Sequence, residues 1–233
     1  MSKKNYFLLS LIIFNFCFGY CVDPCDPLSI EDRYSAYSSL ENVLPPDYQG
    51  WFGKANMEML GNLIREQNAK VVVELGSWLG KSTIWIARML PKDGRVYAVD
   101  TWLGSQEQVH QEDPRLPTLY EQFLSNIIHQ GLTDKIVPIR ITSVEAGQRW
   151  PSDIIPDIVY LDASHEEFDV YQDLTTWYPV IGDTGVLCGD DFNWPGVKKS
   201  VIRFAKEQGL SVKDNGRCWV LISPEKLNCE ESK

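Results

Sequence analysis

VVVELGSWLGKST, residues Val71–Thr83, runs from an apolar strand through a glycine-bearing turn into a helix. Nucleotide-type ligands use this geometry, because a tight turn brings backbone N–H groups and a helix start to the carboxyl end of a strand. A dinucleotide site needs G-x-G-x-x-G so that the backbone can close on a pyrophosphate. Counting from Gly76, Trp78 and Lys81 stand where the next two glycines belong. A phosphate loop needs G-x-x-x-x-G-K-[ST]. Gly80-Lys81-Ser82 supplies its end, but Leu75 stands where its first glycine belongs, so the loop is one residue short. The later DIVYLDASHE imitates the acidic strand of such an NTPase without repairing that loop. What remains is an acid at the end of a strand, Glu74, followed by the Gly76 turn. A carboxylate there accepts from an ammonium group, directly or through water, and Gly76 lets the backbone pass close to the amino-acid part of a ligand.

Outward from this segment, the chain alternates between two periodicities. Apolar runs at Val71–Leu75, Val96–Val99, Ile136–Ile141, Ile158–Leu161 and Gly185–Cys188 read as buried strands of a parallel sheet. Helical spacing appears over Ala55–Gln67, Ser82–Leu90, Leu119–Gln130, Val144–Trp150 and Phe168–Trp177. A further helix begins near Pro195, carries Val197, Val201, Phe204 and Ala205 on one stripe, and is closed by Gly209. The last elements, around Ser211–Lys213 and Cys218–Ser223, form a strand pair turned by Asn215-Gly216. This order predicts a Rossmann-like α/β fold: a doubly wound, mostly parallel seven-stranded sheet ending in an antiparallel hairpin. Ligands then bind at the carboxyl ends of the strands.

VYAVD places a second acid, Asp100, at the end of the second strand, where a carboxylate accepts both hydroxyls of a ribose. Glu74 and Asp100, one strand–helix–strand unit apart, make the chain resemble the class I S-adenosylmethionine-dependent methyltransferases from about Trp51 to Ser223. The resemblance implies S-adenosyl-L-methionine as cofactor, held by Glu74, Gly76, Ser77, Gly80, Ser82, Asp100, Thr101, Trp102, Ser143 and Asp162. It puts the adenine between Thr101–Trp102 and the loop near Ser143, with Trp102 either against the purine face or packed over the sheet edge.

Two further strand ends carry chemistry. IPDIVYLDASHEEF ends the fourth strand at Asp162, with His165 three positions on, and GVLCGDDFNWPGV ends the fifth at Asp190-Asp191. Three carboxylates converging on one crevice repel each other unless a cation sits among them, and hard oxygen donors favour Mg²⁺ or a similar divalent ion. This D-x-x-H with an acidic pair resembles the metal-dependent O-methyltransferases of macrolide sugars, the macrocin-type group. By that resemblance Asp162, Asp190 and Asp191 bind the metal and His165 is the general base; histidine titrates near neutral pH. Catechol-type enzymes carry Asn where this chain has Asp191, so their substrates do not transfer. The plainer readings are that Asp162 marks a strand end, Asp191 caps the helix near Pro195, and His165 caps or lies in the first turn of the helix over Phe168–Trp177. His110 and His129 read as surface residues.

The net charge of −10 and the lack of any basic run beyond the first residues exclude a nucleic-acid footprint. Lys3 and Lys4 followed by the apolar run Tyr6–Tyr20 read as a signal peptide or N-terminal anchor over 1–21. Export to the periplasm, secretion or membrane attachment follows, with a cytoplasmic location as the alternative. A Pro-, Asp- and Ser-rich lead-in over 22–50 precedes the catalytic domain at 51–223, and a polar tail closes the chain at 224–233. No Cys/His spacing suits zinc; Cys188 and Cys218 fall on neighbouring strands and are one candidate disulfide, with buried thiols as the alternative. Tyr48, Trp51, Phe52 and Trp194 suit a wall for a phenol or the apolar face of a sugar. The sequence thus predicts metal-assisted O-methylation of a small hydroxylated molecule. The rivals are a cephalosporin-hydroxylase-like relative that keeps fold and metal, and an exported binding protein that kept the fold alone.

Overall fold

A computed structural model of the chain describes residues 27–30, 33–105 and 112–223. The signal-like segment, Cys17, Cys21, Cys25, His110, Cys229 and the C-terminal tail lie outside the described residues. Five strands run parallel: β1 (Val71–Leu75), β2 (Arg95–Asp100), β3 (Ile136–Arg140), β4 (Ile158–Leu161) and β5 (Val186–Gly189). The hairpin β6 (Ser211–Asp214) and β7 (Trp219–Ile222) adds two antiparallel strands, in the order β3-β2-β1-β4-β5-β7-β6. The helices are α1 (Arg33–Ser38), α2 (Lys54–Glu66), α3 (Lys81–Met89), α4 (Leu119–His129), α5 (Ser143–Gln148), α6 (Glu167–Trp177) and α7 (Pro195–Gln208). The elements expected from periodicity are all present, their ends displaced by at most two residues.

Each parallel strand is apolar on both faces because helices cover both. Val72, Val96 and Ile158 pack with Leu60 of α2, Ile86 of α3, and Phe123 and Ile127 of α4. The alternate positions Val73, Val99 and Val159 pack with Leu174 and Trp177 of α6 and with Val201 and Phe204 of α7. Fully burying a side chain of this size contributes about 1.5–3 kcal/mol, so the two layers fix the register of every strand. After β1 the chain crosses to one face through α3, and after β4 to the other through α6. A crevice therefore opens between the carboxyl ends of β1 and β4, which are neighbours in the sheet.

The helix ends follow their sequence signals. Pro195 occupies the first turn of α7, and Gly209 closes it in the left-handed region at φ 67°. The lead-in departs from the irregular reading, since it contains α1 and is strapped to the domain beyond it. The side chain of Asn126, fully buried on α4, accepts from Asp47 N at 3.0 Å and donates to Asp47 O at 2.6 Å. Lys81 Nζ donates to Gly50 O at 2.7 Å. These bonds draw Gln49–Phe52 to the rim of the crevice.

The candidate disulfide does not form: Cys188 and Cys218 are buried free thiols. In the β5–β7 register Cys188 lies opposite Val220, two residues beyond Cys218. The Cys218 thiol points instead to Asp190 Oδ1 at 3.6 Å, and burial, with that carboxylate beside it, pushes its pKa up to about 12.

Candidate active site

A cavity of about 830 Å³ lies over the strand ends. Gly76, Ser77, Ser82, Asp100, Thr101, Ser143, Asp162, His165 and Asp191 line it, so most of the site residues read from the sequence meet there. Its size is that of a site for a cofactor together with a small acceptor.

Asp100 organises one end of the cavity. Its Oδ2 accepts from the backbone N–H groups of Ser77 and Trp78, each at 2.9 Å, and its Oδ1 accepts from Trp102 N at 2.7 Å. Burial raises its pKa and these backbone donors oppose the rise. Trp78 and Trp102 both hold left-handed backbone, at φ 48° and 52°, a costly conformation for large side chains. The carboxylate between them is what holds it.

Gly76, at φ 87°, is required for a different neighbour than the sequence suggests. A Cβ there would lie 2.1 Å from Asp162 O, so the β1 turn rests on the backbone at the end of β4 as well as lining the cavity.

Glu74, Gly80 and Trp102 stand back from the cavity. Glu74 is fully buried on the α3 face of β1, one layer behind Ser77. Its Oε2 accepts from Ser77 Oγ at 2.8 Å and from Thr83 Oγ1, while its Oε1 is buried without a hydrogen-bond partner. Burial drives its pKa up to about 7 against the pull of the surrounding hydroxyls. Gly80 faces α4, where a Cβ would press on Phe123 at 3.1 Å. The Trp102 ring takes the packing alternative: it is buried 4.7 Å from both Tyr120 and Phe123, and its indole N–H donates to Trp78 O at 2.8 Å. The bulk of an indole next to a strand end is better accommodated in the α4 layer than in an open crevice.

The other end of the cavity is acidic. Oxygens of Asp162, Asp190 and Asp191 lie within 4.8 Å of one another. Burial raises the Asp162 pKa well above the usual carboxylate range, and the two other carboxylates add to the rise. Asp191 does not cap α7: Trp194 holds that position, and Asp191 sits in left-handed backbone at φ 57°. His165 Nε2 lies 2.8 Å from Asp191 Oδ2, and its ring stacks on Trp194 with centroids 4.4 Å apart. The backbone beneath His165 is fixed by Gly196 of α7, where a Cβ would meet His165 O at 2.2 Å. Asp190 lies just behind the main cavity and pairs with Arg217, whose Nε and Nη2 reach its two oxygens at 3.0 Å each.

Sequence reasoning missed Arg217 and Asp173. For Arg217 the signal was the hairpin itself. A residue just before β7, antiparallel to β5, necessarily arrives at the carboxyl end of β5 beside Asp190. Asp173 interrupts the buried stripe Val170, Leu174, Trp177 of α6, and an acid on such a stripe calls for an explanation.

The description "methyltransferase domain" names the family model that matches residues 73–192, just over half of the chain, spanning β1 to the residues after β5. The chain belongs to this family. The methyltransferase is 26% identical over 185 residues to a flavonoid 3',5'-methyltransferase of Vitis vinifera, a match covering 79% of this chain and 68% of that one. Its fold is shared with the O-methyltransferase TomG of Streptomyces achromogenes, solved with S-adenosylmethionine (TM-score 0.55, 18% identity, 83% of this chain and 89% of that one). It is shared equally with an O-methyltransferase of Bacillus cereus, solved with S-adenosylhomocysteine (TM-score 0.52, 17% identity, 83% and 90%).

Proposed function

We propose that this methyltransferase moves a methyl group from S-adenosylmethionine to a hydroxyl of a small molecule, with a divalent cation at the aspartate cluster and His165 as the proton acceptor. The observation that carries the reading is one cavity holding Asp100 and the Gly76 turn at one end and His165 beside three converging carboxylates at the other. The names of the grapevine relative and of the two ligand-bound fold neighbours support the same reaction class and cofactor.

The residues fit both groups. Asp100 offers its remaining lone pairs to the ribose hydroxyls, Ser77 and Ser82 line the amino-acid end, and Glu74 acts on that end from behind through Ser77. Its orphaned Oε1 is the mark of a buried acceptor awaiting a donor. With all three carboxylates ionised, as a bound cation would hold them, the aspartate cluster carries −3 and Arg217 returns +1, leaving −2 for a divalent ion with oxygen preference such as Mg²⁺. When bound, S-adenosylmethionine supplies an electrophilic methyl group and the cation lowers the pKa of the acceptor hydroxyl. His165, fixed by Asp191, Trp194 and the Gly196 contact, is positioned to take the hydroxyl proton. Trp51, Phe52, Trp78 and Trp194 line the cavity and favour an acceptor with a flat apolar face, a phenol or a sugar ring. Calorimetric titration with S-adenosylmethionine, with and without Mg²⁺, followed by a screen of phenols and sugars, tests the proposal. Absence of binding in both conditions would overturn it.

A further inference from the structure

Asp173 is 4% exposed and sits on the apolar stripe of α6, yet it forms part of the cavity wall. Ser143 Oγ, on the first residue of α5 just beyond β3, donates to its Oδ1 at 2.5 Å. Among the described residues that is its one hydrogen bond, although a carboxylate has room for about four. The nearby indole of Trp177 does not serve it, because Trp177 Nε1 donates to Ser143 O at 3.0 Å. The two helices are in close contact here: a Cβ on Gly147 of α5 would lie 2.5 Å from the Thr176 side chain and 3.1 Å from the Trp177 indole, so α5 packs its glycine directly on side chains of α6. A buried acid kept at this expense of desolvation, clamped from one side and open to a ligand cavity on the other, is built to receive a donor.

The position in the sheet says which donor. With the ribose held at Asp100 on β2, a nucleoside base directed outward lies toward β3, the next strand, where Thr142, Ser143 and Asp173 form the wall. Gln172 and Asp169 continue that wall along α6. In its ionised form the carboxylate accepts and does not donate, so it pairs with an amino group at position 6 of a purine and meets an oxo group there acceptor to acceptor. Resting on the S-adenosylmethionine reading above, we propose that Asp173, positioned by Ser143, recognises the exocyclic amine of the cofactor's adenine and sets the enzyme's preference for adenosyl over inosyl cofactors.

The test compares S-adenosylhomocysteine with S-inosylhomocysteine by calorimetry on the full-length enzyme, at a pH well above the value of about 7 to which burial raises Asp173. The wild type is expected to favour the amino compound by about tenfold to a hundredfold, the worth of a hydrogen bond to a charged group. In Asp173→Asn the carboxamide turns either its oxygen or its nitrogen to the base, so the ratio is expected to fall to within about threefold. Part of that change is a gain in affinity for the oxo compound, which a misfolded protein cannot produce. Ser143→Ala, which leaves the acid but removes its clamp, is expected to give an intermediate ratio and a higher KM for S-adenosylmethionine. An unchanged ratio in Asp173→Asn, or a wild type indifferent to the two compounds, overturns the assignment of Asp173 while leaving the cofactor reading intact. A wild type that binds neither compound overturns both. If Asp173→Asn does not fold, the Ser143→Ala ratio decides in its place.

Discussion

His165 Nε2 lies 2.8 Å from Asp191 Oδ2, so the imidazole and the aspartate cluster are joined through one carboxylate. Asp191 thereby serves two neighbours: Oδ2 orients His165, and Oδ1 lies 3.7 Å from Arg217 Nη2. If His165 takes the acceptor's proton, His165→Ala should lower kcat by about 10²–10⁴-fold, the usual worth of a positioned base. Asp191→Asn should lower it through the same group, and the double variant should lose little more than the worse single one. Steady-state rates of the three variants check this; fully additive losses would show that the two residues do not act as a unit.

The proposed binding role lies at the other end of the cavity. Asp100→Ala strips the acceptor from three backbone N–H groups and, on the proposed reading, from the ribose, and it releases Trp78 and Trp102 from their left-handed backbone. Affinity for S-adenosylhomocysteine should fall by at least about tenfold, with a lower Tm, since each hydrogen bond to a charged group is worth about 1.5–3 kcal/mol. His165→Ala should bind the same ligand nearly as well as wild type. Calorimetry on both variants checks the division of labour, and equal losses would refute it.

Periodicity was enough to read the fold, because strands buried on both faces and helices with one apolar stripe leave separate marks in the chain. The strand-end acids were legible for a related reason: in a parallel sheet, residues at the carboxyl ends of neighbouring strands share a crevice whatever their distance in sequence. Depth was not legible. Glu74 and Asp100 both end a strand, yet Glu74 points into the α3 layer and Asp100 toward the turn, and only packing decides which. Trp102 shows the same limit, since an indole satisfied by Tyr120, Phe123 and a carbonyl cannot be told from one facing a ligand until α4 is in place. Arg217 and Asp173 required pairings between distant segments, β7 with β5 and α6 with Ser143, that no local pattern states.

Arg217 bears on the proposed cation. Its guanidinium offsets one of three converging carboxylate charges, and removing it leaves the cluster more negative. Arg217→Ala should therefore bind Mg²⁺ several-fold more tightly and be less stable without it, because the loss of the pair leaves Asp190 buried against Asp162. The effect is moderated by solvent, as the Arg217 side chain is 40% exposed. Titration of Mg²⁺ into both proteins, with Asp162→Asn as a variant lacking one donor, checks it. Mg²⁺ affinity that is unmeasurable in wild type and in Arg217→Ala alike would remove the cation from the mechanism.

Glu74 gives the fold a pH dependence of its own. Burial raises its pKa from 4.5 to about 7, and Asp173 is raised from 3.8 to about 7 for the same reason. Between the unfolded and folded values the native state holds a proton that the unfolded chain has released, so stability falls as pH rises through this window. The stabilisation is fully present below pH 4.5 and is lost by the time the pH has passed about 7. For Glu74 alone the difference between these limits is about 3 kcal/mol. Thermal unfolding of the ligand-free protein should therefore show Tm decreasing between about pH 4.5 and 7.5 in the part of the curve that Glu74 controls. Glu74→Gln, which cannot ionise, should flatten that decline and be the more stable protein at pH 7.5, even though it should bind S-adenosylhomocysteine less well. A variant whose Tm follows the wild-type pH curve in parallel would mean that the Glu74 carboxyl is already ionised in the folded state, with a donor reaching Oε1.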